Sequence, residues 1–241
     1  MWRATVLTLY PELFPGPLGA SVIGRGAAQG HWALETVNIR DFSDNAYGSV
    51  DAKPAGGGPG LVMRVDILAA AIDSVDRAGR PLLGLTPRGA ALTQSRVRDL
   101  ACGPGLIALC GRFEGVDERL FEARDIEEVS MADFVLAGGE IAAMALIEAC
   151  VRLIPKVLGS ASSAVQESFE AGLLEYPQYA RPREFEGREV PETLLSGDHA
   201  KIAEWRRKKA EEITRTRRPD LYERYLKGGP IRRGKNKEPE T

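Results

Sequence analysis

Five short β-rich runs, interleaved with helical patterns, constrain the fold of this chain more than any other feature. The runs are TVLTLY at 5–10, ALETVNIRDF at 33–42, PLLGLT at 81–86, GLIALC at 105–110 and EEVSM at 127–131. Between several of them, apolar residues recur at helical spacing in VDILAAAIDSV (65–75), LTQSRVRDLA (92–101) and VDERLFEAR (116–124). Strand and helix alternating in this way predict an α/β fold with a mainly parallel sheet covered on both faces. A longer apolar helix is expected from about Glu140 to Leu153, ended by Pro155 and Gly159.

Composition changes after that helix. Residues 160–168, SASSAVQES, are small and polar, which is a linker composition. The chain therefore reads as an α/β domain over 1–159, a flexible joint over 160–168 and a small, mainly helical domain over 169–241. In the last, one helix should run from near Asp198 to Arg215 and another should open at Pro219. The final GGPIRRGKNKEPET has the look of a frayed tail.

Several functional classes fall away. No apolar run approaches the ~18 residues that span a bilayer. The start of the chain, MWRATVLTLYPELF, lacks the features of an export signal, so a cytoplasmic location is expected. Three cysteines, Cys102, Cys110 and Cys150, are odd in number and widely spaced, and read as buried small apolar residues. With His31 and His199 the only histidines, no metal site is expected. The net charge of −2 conceals an asymmetry: from Lys201 onward there are 14 Lys and Arg against 7 Asp and Glu. A basic tail on an acidic body fits a polyanionic partner, and equally a solvated surface helix.

Four stretches are rich in glycine or lie beside strands: the opening segment, GGGPG at 56–60, LTPRG at 85–89 and LCGRFEGVDER at 109–119. A fifth, DFVLAGGEIAAM at 133–144, is an apolar run broken by Gly138 and Gly139. None has the G-x-G-x-x-G spacing of a dinucleotide loop. Each alone fits a simple turn as well as a ligand site. In an open α/β sheet, however, ligands sit beyond the carboxyl ends of strands, and 85–89, 109–119 and 131–139 all follow predicted strands.

The blocks GGGPGLVM, LCGRFEGVDER, SMADFVLAGGEIAAM, ESFEAGLLEYPQYARP and SGDHAKIAEWRRKKA, in this order, resemble the bacterial tRNA (guanine-N1)-methyltransferase family. The likeness runs from residue 1 to about 226. It implies a SPOUT methyltransferase with a deep trefoil knot, S-adenosyl-L-methionine bound in a bent shape by the knot loops, and a homodimer with tRNA held between subunits. The reaction implied is methylation of N1 of the guanine 3′ of the anticodon, position 37. By the same resemblance, backbone at Met131, Ala132, Asp133, Phe134, Val135 and Leu136 contacts the donor. Gly138 and Gly139 let the chain turn tightly beneath it, and Pro87 and Gly111 come from neighbouring loops.

Guanine N1 must lose a proton as it attacks the methyl group, so a carboxylate in reach is the natural base. A cation near O6 would stabilise the charge that develops on the ring. The resemblance assigns these roles to Glu167, where the family carries Asp, and to Arg152. Read without it, Glu167 is a solvated linker residue and Arg152 a charge facing solvent at a helix end. Glu114 is implied to hold the guanine; the residues alone also allow a salt bridge to Arg112 or Arg119. Asp51 is implied to approach tRNA or the partner, and Arg206 and Arg207 belong to a basic helix face suited to phosphates. The chain departs from the family at Ala52, Lys53 and Ala55, where Asp-Arg-Pro-Tyr is usual before the glycines, and at Ala142, which replaces a proline. Magnesium is allowed but not assignable. The rivals are a knotted methyltransferase for another RNA and a noncatalytic RNA-binding module.

Overall fold

The computed structural model describes residues 1–158, 167–169 and 171–228. Two compact units divide the chain, Met1–Ala161 and Ser162–Thr241. Most of the linker expected at 160–168 and the tail from residue 229 onward lie outside the described residues.

In the first unit the elements are β1 (Trp2–Thr8), α1 (Ser21–Ala28), β2 (Trp32–Asn38), the short pair β3 (Asp51–Ala52) and β4 (Val62–Met63), α2 (Val65–Asp73), β5 (Leu82–Ala91), α3 (Gln94–Cys102), β6 (Gly105–Cys110), α4 (Arg119–Arg124), β7 (Glu127–Ser130) and α5 (Glu140–Val151). Five strands form one sheet in the order β2-β1-β6-β5-β7, and every pairing is parallel.

Alternation along the strands sends side chains to two cores. From β1 and β6, Trp2, Ala4, Val6, Leu106, Ala108 and Cys110 meet Ile23 of α1, Val97 of α3 and Leu146 of α5. From the same strands, Leu7, Ile107 and Leu109 meet Ile67 and Leu68 of α2 and Leu120 of α4. Because both faces are covered, GLIALC is buried at all six positions. At Gly105 the close pairing with β1 leaves no room for a side chain: φ is +133° and a Cβ would collide with the Arg3 carbonyl.

The structure differs from the sequence reading at several edges. The run at 33–42 is strand only to Asn38; Ile39–Phe42 turns as a 3-10 helix, with the Asn38 side chain accepting from the Arg40 amide. Helix α4 starts at Arg119, not 116, because Val116 is engaged with Met63 and Asp117 Oδ1 accepts from the Arg119 amide. Helix α1, SVIGRGAA, was not expected, since its two glycines weaken the local helical preference. The stretch 85–89 is no loop beyond a strand: it is an irregularity inside β5, which pairs with β7 up to Leu85 and again from Ala90.

The second unit contains the hairpin β8 (Glu184–Phe185) and β9 (Arg188–Glu189), then α6 (Glu192–Leu195), α7 (His199–Arg217) and α8 (Pro219–Gly228). Asp198 caps α7 by accepting from the amides of Ala200 and Lys201. The buried Thr214 hydroxyl ties the preceding segment to α7, accepting from the Leu174 amide at 2.8 Å and donating to the Ala210 carbonyl. Among the described residues, no helix is long and apolar enough to cross a membrane.

Cysteine reactivity checks this packing. Cys110 and Cys150 are buried and Cys102 is exposed. Burial pushes the Cys110 thiol well up, with the nearby Glu140 carboxylate adding to it, and raises Cys150 to about 12. Only the thiolate reacts. Native protein should therefore take up iodoacetamide at Cys102 alone, and at all three after denaturation; native labelling of Cys110 or Cys150 would contradict the packing.

Candidate active site

The segments after β6 and β7, together with the irregularity inside β5, the strand between them, line a single pocket of about 430 Å³. Its walls come from the β5 irregularity (Leu85–Arg88), the stretch after β6 (Gly111–Val116) and the stretch after β7 (Met131–Gly139). The volume lies within the usual range for small-molecule sites, roughly 300–1,000 Å³.

Of the residues implicated by sequence, the pocket brings together Pro87, Gly111, Glu114, Met131, Ala132, Phe134, Val135, Leu136, Gly138 and Gly139. Asp133, between Ala132 and Phe134, is not itself part of the lining. Asp51 sits in β3 opposite Met63 and is not part of the lining. Arg152 caps the C-terminus of α5, twelve residues beyond Glu140 and so roughly 18 Å along the axis, and it does not line the pocket either.

Gly138 and Gly139 lie in the bend at 137–139 that leads into α5. Neither adopts a positive φ. What they permit is close approach: a Cβ at Gly139 would lie 2.7 Å from Cys110 Cα, and one at Gly138 would collide with the Arg112 guanidinium. The Gly139 amide also donates to the Gly111 carbonyl at 3.0 Å, joining two of the pocket walls.

The glycines at 56–60 act at one remove. Gly56, Gly57, Gly58 and Gly60 all have positive φ, which closes the turn between β3 and β4. That hairpin docks on the 112–117 segment: the Glu114 amide donates to the Leu61 carbonyl and the Met63 amide to the Gly115 carbonyl, both at 2.9 Å. Gly60 lies against the Glu114 side chain, where a Cβ would collide with it. The salt bridge allowed by sequence does not form, since Arg119 pairs with Asp117 at 2.7 Å and Arg112 with Glu140 at 2.8 Å. Among the described residues Glu114 has no ion pair, so its carboxylate is available at the pocket wall.

Two charged side chains of the lining, Arg88 and Arg112, were not assigned to the site from sequence. Arg88 bridges Glu118 (2.8 Å) and Glu128 (3.3 Å), and the Glu118 carboxylate holds its guanidinium above the ordinary value. Arg112 runs beneath the 137–139 turn. Its signal was present in LCGRFEG, where a cation follows the strand-end glycine directly.

The remaining predicted residues lie in the second unit. Glu167 is half-buried at the start of a closed turn: the Phe169 amide donates to the Leu173 carbonyl at 2.8 Å, and Ser168 Oγ accepts from the Glu175 amide at 3.0 Å. Arg206 is not a free surface cation, because its guanidinium lies 4.9 Å over the Tyr176 ring. Arg207 pairs with Glu211 at 2.8 Å, Lys208 with Glu204 and Lys209 with Glu212. The α7 surface still carries seven basic against three acidic side chains.

Apart from Arg88, Arg112 and Glu114, the pocket lining is uncharged. Apolar side chains and backbone dominate its lining, which suits an adenine edge read by amides and carbonyls better than a phosphate. Among the described residues no group of three His, Cys, Asp or Glu side chains could hold a metal ion.

Comparison with known proteins agrees with this geometry. A family model described as tRNA (Guanine-1)-methyltransferase TrmD matches residues 2–224. A tRNA (guanine-N(1)-)-methyltransferase of Rhodopseudomonas palustris (strain HaA2) is 63% identical over 222 residues, covering 92% of this chain and 88% of the relative. Relatives with the same name from Novosphingobium aromaticivorans and Nitrobacter winogradskyi are 61% and 58% identical. The former match covers 93% of this chain and 92% of the relative, the latter 98% and 99%.

Proposed function

The chain belongs to the tRNA (guanine-1)-methyltransferase family, and from that membership we propose that it transfers the methyl group of S-adenosyl-L-methionine to N1 of guanine 37 in tRNA. The observation that carries the reading is the pocket lined by the segments after β6 and β7 and by the irregularity inside β5. A glycine-walled, mostly apolar cleft beside parallel strands fits a nucleoside donor that has no phosphate to cradle. From the same family membership we propose a threaded, knotted path for this part of the chain, where Gly138 passes Arg112 and Gly139 passes Cys110 closely.

When bound, the donor supplies a methyl group on a sulfonium, a reactive electrophile with its own leaving group. The protein's work is to position and deprotonate. Glu167, just before the turn closed by Phe169 and Leu173, accepts the proton from guanine N1. Glu114, seated on Gly60, accepts from the amino edge of the guanine. Arg152 offsets negative charge developing at O6.

Arg152 sits too far along α5 to serve the pocket of its own protomer, which supports a homodimer in which each copy completes the other's site. The exposed apolar side chains Phe134 (56%), Val135 (82%), Leu136 (40%) and Ile141 (61%) provide a face for that second copy. The basic surface of α7 is the tRNA-facing element, and the expected location is the cytoplasm. Magnesium has no role assigned to a residue.

The test is methyl transfer. Purified protein, labelled donor and two tRNA transcripts, with G or A at position 37, should give label only in the G transcript. No incorporation into the G transcript would refute the reading, and equal labelling of both would shift it to another site.

A further inference from the structure

We propose that Arg112 and Glu140 form a buried clamp that holds the 134–139 segment in its donor-binding shape; both are positioning residues for methyl transfer, and the proposal rests on the donor reading above.

Glu140 opens α5 with only 1% of its side chain exposed. One carboxylate oxygen, Oε1, accepts from the Thr8 hydroxyl at 2.8 Å, and that hydroxyl in turn accepts from the Tyr10 amide at 3.0 Å. The other, Oε2, lies 2.8 Å from Arg112 Nη2 as a charge contact off the line of a good hydrogen bond. Position at the first turn of a helix also favours the negative charge.

Arg112 completes the connection to the pocket. Its Nη1 donates to the Ala137 carbonyl at 3.2 Å, and its guanidinium lies 4.5 Å over the Tyr10 ring. One side chain thus joins the segment after β6, the segment after β7, the start of α5 and the end of β1. Gly138 is bare because the guanidinium passes directly against it.

Burying a carboxylate is costly without compensation, and a pair this deep is weak evidence for stability as such. A hydrophobic pair of similar volume would fill the same space. What an apolar pair could not do is fix the Ala137 carbonyl. The next residues toward the pocket, Val135 and Leu136, are exposed, so little packing holds them in place. Preorganising such a segment raises ligand affinity by lowering the ordering cost on binding.

The test uses the full chain carrying Arg112→Lys, which keeps the charge but cannot reach Glu140 and Ala137 together or stack on Tyr10. Four quantities are read: amide hydrogen exchange at 134–139, exchange in β6, affinity for S-adenosylhomocysteine by calorimetry, and tRNA affinity. Exchange at 134–139 should accelerate roughly tenfold with β6 unaltered, and the homocysteine nucleoside should bind roughly tenfold more weakly. Affinity for tRNA should stay within about twofold, since the clamp acts on the donor.

Unaltered exchange at 134–139, or faster exchange with unaltered nucleoside affinity, would overturn the proposal. So would an equal acceleration in β6, because the pair would then merely hold the fold. If Arg112→Lys does not fold, Thr8→Val is read in the same way, as it removes the hydroxyl that orients Glu140. A wild-type protein that binds no nucleoside would instead defeat the donor reading, and exchange alone would decide the clamp.

Discussion

Glu167→Gln should bind donor and tRNA as the wild type does, yet turn over about 10²–10⁴-fold more slowly. The substitution keeps size and hydrogen-bonding capacity but removes the ability to take a proton. The turn that follows it is closed by backbone and by Ser168, independently of the Glu167 carboxylate. Glu167→Asp gives the complementary result. It restores the family's residue and retains a carboxylate, but withdraws it by one methylene in a site built around the longer side chain. A misplacement of about 1 Å costs up to roughly 100-fold, so this variant should fall between wild type and Gln. Single-turnover rates with saturating donor and tRNA separate the chemical step from binding. Near-normal turnover in Glu167→Gln would remove this residue as the base.

Gly139→Ala should show the second large effect, and Gly111→Ala is its control. At 139 the added methyl meets the Cys110 backbone at 2.7 Å, which cannot yield without moving β6 or the segment after β7. Overpacking of this kind costs about 1–3 kcal/mol. The melting temperature should fall by a few degrees per kcal/mol. Donor affinity should fall about 10–100-fold, since two pocket walls separate. At Gly111 the nearest atom to an added methyl is Val116 Cγ2 at 3.6 Å, an ordinary contact. Gly111→Ala should therefore melt like the wild type while still weakening the donor, because the methyl enters the pocket lining. Equal melting of both variants with the wild type would contradict the packing at Gly139.

The centre of the sheet was legible because it is buried on both faces: GLIALC is buried throughout and Leu82–Gly84 of PLLGLT likewise, which a covered parallel sheet accommodates. Helix ends were less legible, since tertiary contacts set them. The start of α4 depends on Val116 reaching Met63, 53 residues earlier in the chain. Helix α1 was hidden by Gly24 and Gly26, which pack against the Gly19 backbone and Val157 rather than ending a helix.

The site divided in the same way. Loop glycines marked the pocket walls, because bare backbone leaves a trace in composition. Their particular reasons were invisible: Gly60 for Glu114, Gly138 for Arg112, Gly139 for Cys110. Arg112 and Glu140 are 28 positions apart and no local pattern links them. At Arg206, a cation in a basic run gives no hint that its guanidinium lies over an aromatic ring at 176.

The crossing of Arg112 beneath Gly138 has an evolutionary consequence. The two positions cannot drift independently, because any side chain at 138 occupies the space of the guanidinium. A lineage that replaces the glycine must first shorten residue 112, and that first step leaves a buried carboxylate at 140 to be neutralised. A side chain at 138 should therefore occur only in related chains whose residue 112 is short, whereas Gly138 can stand beside either.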